Sequence, residues 1–169
     1  MPGEAGGGGR ALAIAWRALS RRDRTVAELR DLLERRGARS EEIDAALAEV
    51  AESGYLDDAE FARWFTDDRR RLDGWGERRI AHELARRGVP AEVAEAALGE
   101  PSPEAELDAA RAVLRDRVGV SLSDDRARRR AFALLVRRGY AAEVVYEAIR
   151  RQAHDYGRGD GVQGQATPR

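Results

Sequence analysis

Apolar positions along this chain recur with a helical period and almost nowhere alternate. Leu12, Ala15, Trp16 and Leu19 follow i, i+3, i+4, i+7, the stripe of an amphipathic helix. Thr25-Val26-Ala27-Glu28 then reads as a capping box: Thr25 covers the N3 N–H and Glu28 returns to the N-cap. Val26, Leu29, Leu32 and Leu33 form the buried face of that second helix, and Gly37 supplies its left-handed end. Ser40 is placed to cap a third helix with the stripe Ile43, Ala46, Leu47 and Val50, ended by Gly54. The alternation between Val118 and Leu122 is too short for a strand and reads as a connection.

The same three-helix pattern returns twice. Arg-Arg-Gly stands at 35–37, 86–88 and 137–139, a constant spacing of 51 residues. Leu33, Leu84 and Leu135 precede each Gly by four positions, and Ala46, Ala97 and Ala148 follow it by nine. The second copy carries Phe61, Trp64, Phe65, Leu72, Ile80 and Leu84, with Pro90 opening its last helix. The third begins at Ser102-Pro103 and carries Leu107, Ala110, Val113 and Leu114, then Ala131, Leu135, Val145 and Ile149. The expected fold is all-α: three tandem three-helix, helix-turn-helix-like repeats over 10–54, 55–100 and 101–153, stacked into an elongated curved rod. The Gly-rich segments 1–9 and 154–169 read as disordered tails. Trp16, Phe61, Trp64, Phe65 and Phe132 sit at helical spacing and are expected in the core. Trp75, between Gly74 and Gly76, reads as a plug over the second repeat or as an exposed anchor, and a plug is the simpler way to order such a loop.

Composition narrows the chemistry. The 169 residues contain no Cys and no Lys; all 30 basic residues are Arg. That removes disulfides, thiol nucleophiles, thiolate metal sites, Walker-type phosphate loops and Schiff bases. Arg binds anions but stays protonated, so it is a poor general base. His82 and His154 stand alone as imidazoles and are expected as solvated side chains. The adjacent acids Asp57-Asp58 and Asp124-Asp125 read as helix caps, and Asp67-Asp68 as a solvated charged face. No catalytic residue, cofactor or metal is expected, and the chain reads as a non-enzyme. With a mean hydropathy of −0.61 and no long apolar run or signal-like segment, it is expected in the cytoplasm, with no membrane partner.

The net charge of −1 hides a gradient: neutral over 10–54, −3 over 55–100 and +3 over 101–153. The densest basic set is Arg126, Arg128, Arg129, Arg130, Arg137 and Arg138. It reads either as a solvated helix face or as a docking surface for a partner of complementary charge.

Gly54-Tyr55-Leu56-Asp57-Asp58-Ala59-Glu60-Phe61-Ala62 resembles the Gly-Tyr-Leu-Asp-Asp-x-x-Phe-Ala signature of the RecX family. The resemblance continues through Arg70, Arg71, Gly74, Gly76, Arg79-Ile80, Glu83-Leu84 and Gly88 to Arg137-Arg138-Gly139-Tyr140, where Tyr140 replaces the family's Phe, and it spans about residues 11–151. Read physically, Gly54 ends one helix, Tyr55 and Leu56 pack the joint between repeats, Asp57 or Asp58 caps the next helix, and Phe61 enters the core. The resemblance implies a regulatory protein of DNA repair, recombination and the SOS response that binds RecA and the RecA–DNA filament. It would lie in the filament groove, bridge protomers and inhibit ATP hydrolysis, strand exchange and filament growth. The third-repeat arginines, with Arg70, Arg71, Arg78, Arg79, Arg86 and Arg87, are the expected contacts to RecA or DNA phosphate, and the chain is expected as a monomer. Direct DNA binding through helix-turn-helix-like repeats, and a passive helical scaffold, are the alternatives.

Overall fold

The computed structural model describes residues 5–100, 102–118, 122 and 124–159. Among them are nine α-helices, one π-helical turn and no strand. In chain order these are α1 (Ala5–Leu19), α2 (Val26–Arg35), α3 (Ser40–Glu52), α4 (Asp58–Asp68), the π turn (Arg69–Asp73), α5 (Glu77–Arg86), α6 (Ala91–Leu98), α7 (Pro103–Val118), α8 (Asp125–Arg137) and α9 (Ala142–Gly159). The all-α repeat pattern read from the sequence is the fold of the molecule. The connection expected between Val118 and Leu122 falls mostly outside the described residues.

The chain forms two compact units and passes between them three times, within α4, within α5 and after Gly99. One comprises the residues up to Thr66 together with Ala81–Gly99; the other comprises Asp67–Ile80 and the chain from Glu100 onward. In the first, Ala11, Ala15, Leu29, Leu33, Ile43, Ala46 and Val50 pack α1, α2 and α3 around one core, closed by Leu56 of the signature. In the second, Leu107, Ala110, Leu114, Ala131, Leu135, Val145 and Ala148 do the same for α7, α8 and α9. Small Ala faces bring these helices close together, and each buried Leu or Ile adds about 1.5–3 kcal/mol.

Several details depart from the sequence reading. Glu28 directs its carboxylate to Arg22 (2.7 Å) and Arg87 (3.1 Å), so it does not return to the N-cap, and only the Thr25 half of the capping box forms, accepting from the Glu28 N–H at 3.1 Å. At α3 the cap is one residue earlier than expected: Arg39 is the N-cap, Ser40 is already helical, and the Arg39 N–H donates to Glu42 at 2.9 Å. Trp64 is 66% exposed and Leu72 62% exposed, so neither is core. Ala62, Phe65 and Thr66 form the buried side of α4, and Trp64 points away from them. The segment expected as a C-terminal tail begins inside a helix: α9 continues to Gly159, held by buried Gln152 and by the Arg111–Asp155 ion pair. At the other end α1 begins at Ala5, within the segment 1–9, as an extension of the packed Ala11–Ala18 face.

The signature at 54–62 works as a splice. Asp57 caps α4 by accepting from the N–H groups of Ala59 (2.8 Å) and Glu60 (3.0 Å), which holds its carboxyl below the usual range. Asp58 points the other way and accepts from the Val26 N–H at 2.9 Å, so the second repeat supplies a cap to α2 of the first. Tyr55 is 68% exposed, where joint packing was expected, and meets Trp16 edge-to-face at 5.2 Å. Burial raises the Asp58 carboxyl above its ordinary range, with the Val26 hydrogen bond opposing. A carboxyl raised on folding stabilises most when protonated, so its contribution falls as pH rises through the folded value. Asp58→Asn, a neutral isostere whose Oδ1 can still accept from the Val26 N–H, should therefore match wild type at acid pH and equal or exceed it near neutral pH, read from urea midpoints. Asp58→Ala, which leaves the Val26 N–H without an acceptor, should cost about 1 kcal/mol.

Candidate partner-binding surface

The expected contact arginines fall into two populations: those that build the joints between repeats and those left facing outward. In one joint, within the first compact unit, the turn 86–88 packs on the N-terminus of α2. The Thr25 hydroxyl donates to the Arg87 carbonyl at 2.6 Å, the Arg87 guanidinium meets Glu28, and a Cβ on Gly88 would overlap the Ala27 Cβ. That guanidinium also lies over Phe61 (5.6 Å) and Phe65 (5.2 Å), rings stacked 5.9 Å apart.

The other joint, within the second unit, repeats this in register 51 residues on. The Gly76 N–H donates to the Arg138 carbonyl at 2.7 Å, and Arg79 Nη1 donates to the Arg137 carbonyl at 2.9 Å. Gly76 and Gly139 bring two backbones together: a Cβ on Gly76 would lie 2.7 Å from the Gly139 carbonyl carbon. Trp75 is half-buried here beneath the Arg79 guanidinium, 4.0 Å from its ring centroid, with Arg69 at 5.4 Å. It pins the joint, which is nearer the plug than the anchor. The Tyr140 hydroxyl donates to the Gly74 carbonyl at 3.2 Å, giving its extra oxygen a partner, and burial pushes the phenol up to about 12. Arg87 and Arg79 thus both take part in these joints.

The outward population centres on α8. Arg126, Arg130 and Arg137 stand four and seven residues apart, on one face at 100° per residue, beside the separate face that buries Ala127, Ala131 and Leu135. Arg129 lies beside them; all four are exposed, and none pairs with an acid among the described residues. Arg128 differs: its Nε donates to the Leu122 carbonyl at 3.0 Å and its Nη1 lies 3.6 Å from Asp125.

Arg70, Arg71 and Arg138 line one open cavity of about 150 Å³ between the π turn and α7, with Arg117, which the sequence reading did not single out. Asp73 there is taken by Arg69, and Arg71 reaches Asp68 at 3.2 Å. Arg78 and Arg70 act on half-buried Glu106, whose carboxyl burial raises and these cations pull back. Arg86 is exposed and pairs with Glu83. Exposed Tyr146, resting on Phe132 at 5.1 Å, and exposed Val136 extend the α8 surface with apolar area. Neither Tyr146 nor Val136 is among the stripe residues read from the sequence.

No group of three or more His, Cys, Asp or Glu among the described residues is arranged to hold a metal ion, and no helix there is long and apolar enough to cross a membrane.

The family model for the first three-helix domain of RecX matches residues 11–49, and that for the second matches residues 57–98. The Regulatory protein RecX of Thermobifida fusca is 38% identical over 145 residues, covering 85% of this chain and 78% of the relative. That of Deinococcus radiodurans is 41% identical over 142 residues, covering 84% and 68%. The crystal structure of RecX from Lactobacillus salivarius superposes with a TM-score of 0.74 at 17% identity, over 88% of this chain and 98% of that one, and so shares the fold. By class this is an all-α protein of tandem three-helix repeats with exposed arginines along α8. The chain belongs to the RecX family of regulatory proteins.

Proposed function

We propose that this chain regulates the RecA recombinase by binding RecA and RecA–DNA filaments in the cytoplasm as a monomer without catalytic activity or cofactor, acting in DNA repair and recombination. Docking is electrostatic in its first stage. The α8 face presents Arg126, Arg129, Arg130 and Arg137 to acidic filament surface or to phosphate. The arginines at 70, 71, 117 and 138 offer a second basic patch on the same compact unit. Once seated across neighbouring protomers, the protein opposes the relative shift that turnover requires, so ATP hydrolysis, strand exchange and filament growth slow. The observation that carries this reading is family membership combined with an arginine face that makes no internal ion pairs among the described residues.

Substoichiometric addition to RecA on single-stranded DNA is expected to lower the steady-state rate of ATP hydrolysis progressively. An unchanged rate with the chain in excess over RecA refutes it. The same arginine face supports a second reading, direct binding to bare DNA, which predicts affinity falling steeply with salt in the absence of RecA.

A further inference from the structure

Register across the repeats exposes a vacancy. The Arg-Arg-Gly turn occurs three times, and twice it packs against the N-terminus of the preceding repeat's middle helix. At 86–88 the helix end is Thr25-Val26-Ala27, with the Thr25 hydroxyl on the Arg87 carbonyl. At 137–139 it is Gly76-Glu77-Arg78, with the Gly76 N–H on the Arg138 carbonyl. The residue after each Gly is buried by the contact, Val89 to 5% and Tyr140 to 3%. No described residue plays that part at the first turn, Arg35-Arg36-Gly37. Nothing lies within 4 Å of a Cβ built on Gly37, and the next residue, Ala38, is only half-buried. An open cavity of about 250 Å³ stands there, with Ala11 and Ile14 of α1 as apolar lining and Arg10, Arg36, Arg39 and Glu42 as its charges. Glu42 is already held by Arg39, through its backbone N–H at 2.9 Å and its guanidinium. Arg36 is exposed and pairs with no described acid, so the cavity is left with unbalanced positive charge.

We propose that the turn 35–38 is a docking socket for the N-terminal turn of an α-helix on the protein this chain regulates. The chemistry required of that helix is set by the two filled joints. A hydroxyl or N–H at its N-cap donates to the Arg36 carbonyl. A residue of its first turn lies against Gly37 through its Cβ, as Ala27 lies against Gly88 and Arg79 against Gly139. An acidic side chain, favoured at helix N-termini, answers Arg36 and Arg10. The occupant thus continues the stack of the repeats into the partner. Only the identity of the partner rests on the RecA reading; the socket itself rests on the repeat register.

Two measurements separate these. The first uses a peptide of residues 23–36, the helix that Gly88 receives, stapled between positions 31 and 35 to hold its helix, titrated into the isotope-labelled full chain. Saturable amide shifts at Gly37, Ala38 and Arg39 are expected, with affinity several-fold weaker for the Thr25→Val peptide, which lacks the donor. Absence of shifts at this turn, or equal binding of the two peptides, overturns the socket. The second compares wild-type chain and Arg36→Glu for binding to RecA filaments, where a loss of about tenfold is expected. Wild-type affinity in the variant overturns the placement of RecA here while leaving regulation of RecA intact. Failure of the wild-type chain to bind RecA removes the partner for both readings, and the peptide titration still decides the socket. Concentration-dependent self-association abolished by Arg36→Glu assigns the socket to a second copy of the chain and overturns the partner assignment.

Discussion

Gly139→Ala is expected to lower stability by roughly 2–4 kcal/mol, among the largest losses available to a single methyl group in this protein. Two costs combine at that position. The backbone sits at φ +88°, where an L side chain is strained. The added Cβ would also overlap the Arg79 Cβ and lie 2.5 Å from the Arg79 backbone nitrogen. That atom is fixed in the first turn of α5, and α5 in turn is held by the Gly76 N–H on the Arg138 carbonyl. The joint has no flexible side-chain end to give way. Gly37→Ala isolates the first cost, because φ there is +76° with nothing within 4 Å, and a loss of about 1 kcal/mol is expected. Urea midpoints followed by far-UV circular dichroism decide the matter. Equal losses for the two variants would show that the close approach at 139 contributes nothing.

That contrast marks how far the sequence could be read. The 51-residue register, the helix stripes and the left-handed glycines were legible because helical periodicity and turn chemistry are local. The joints were not, although their residues lay in plain view at 25 and 76. Thr25 reads as a capping residue whatever it touches, and its second hydrogen bond, to the Arg87 carbonyl, is 62 residues away. For the same reason Arg79 and Arg87 read only as contacts for a partner, and their place in the joints was not legible. Nothing local distinguishes an arginine stacked on Trp75 or Phe65 from one in solvent. Trp64 erred in the opposite direction: helical spacing places it on a stripe, but the faces of α4 that become buried depend on neighbours outside the helix. The α8 arginines were legible as a cluster. Their division into an exposed stripe and a tethered Arg128 required the Leu122 carbonyl to be seen.

The division of α8 carries the second large effect. Replacing Arg126, Arg130 and Arg137 together by Glu is expected to raise the concentration of chain needed for half-inhibition of RecA ATP hydrolysis by about a hundredfold or more. Placing like charges against each other across an interface costs several kcal/mol, so reversal replaces whatever attraction these arginines supply by repulsion. The fold should survive, since Ala127, Ala131 and Leu135 on their separate face keep their packing and Asp124 still accepts from the Ala127 N–H at 2.6 Å. Only Arg137 sits in the last turn, where a carboxylate opposes the helix dipole by a few tenths of a kcal/mol to about 1 kcal/mol. The neutral Gln triple variant should fall between, with inhibition less sensitive to salt than in wild type. Arg128→Glu should behave differently, loosening the segment at Leu122 and lowering the unfolding midpoint with little change in inhibition. If the Glu triple variant inhibits RecA at the wild-type concentration, the stripe is a solvated helix face. If it instead loses only affinity for bare DNA, phosphate is what the arginines meet.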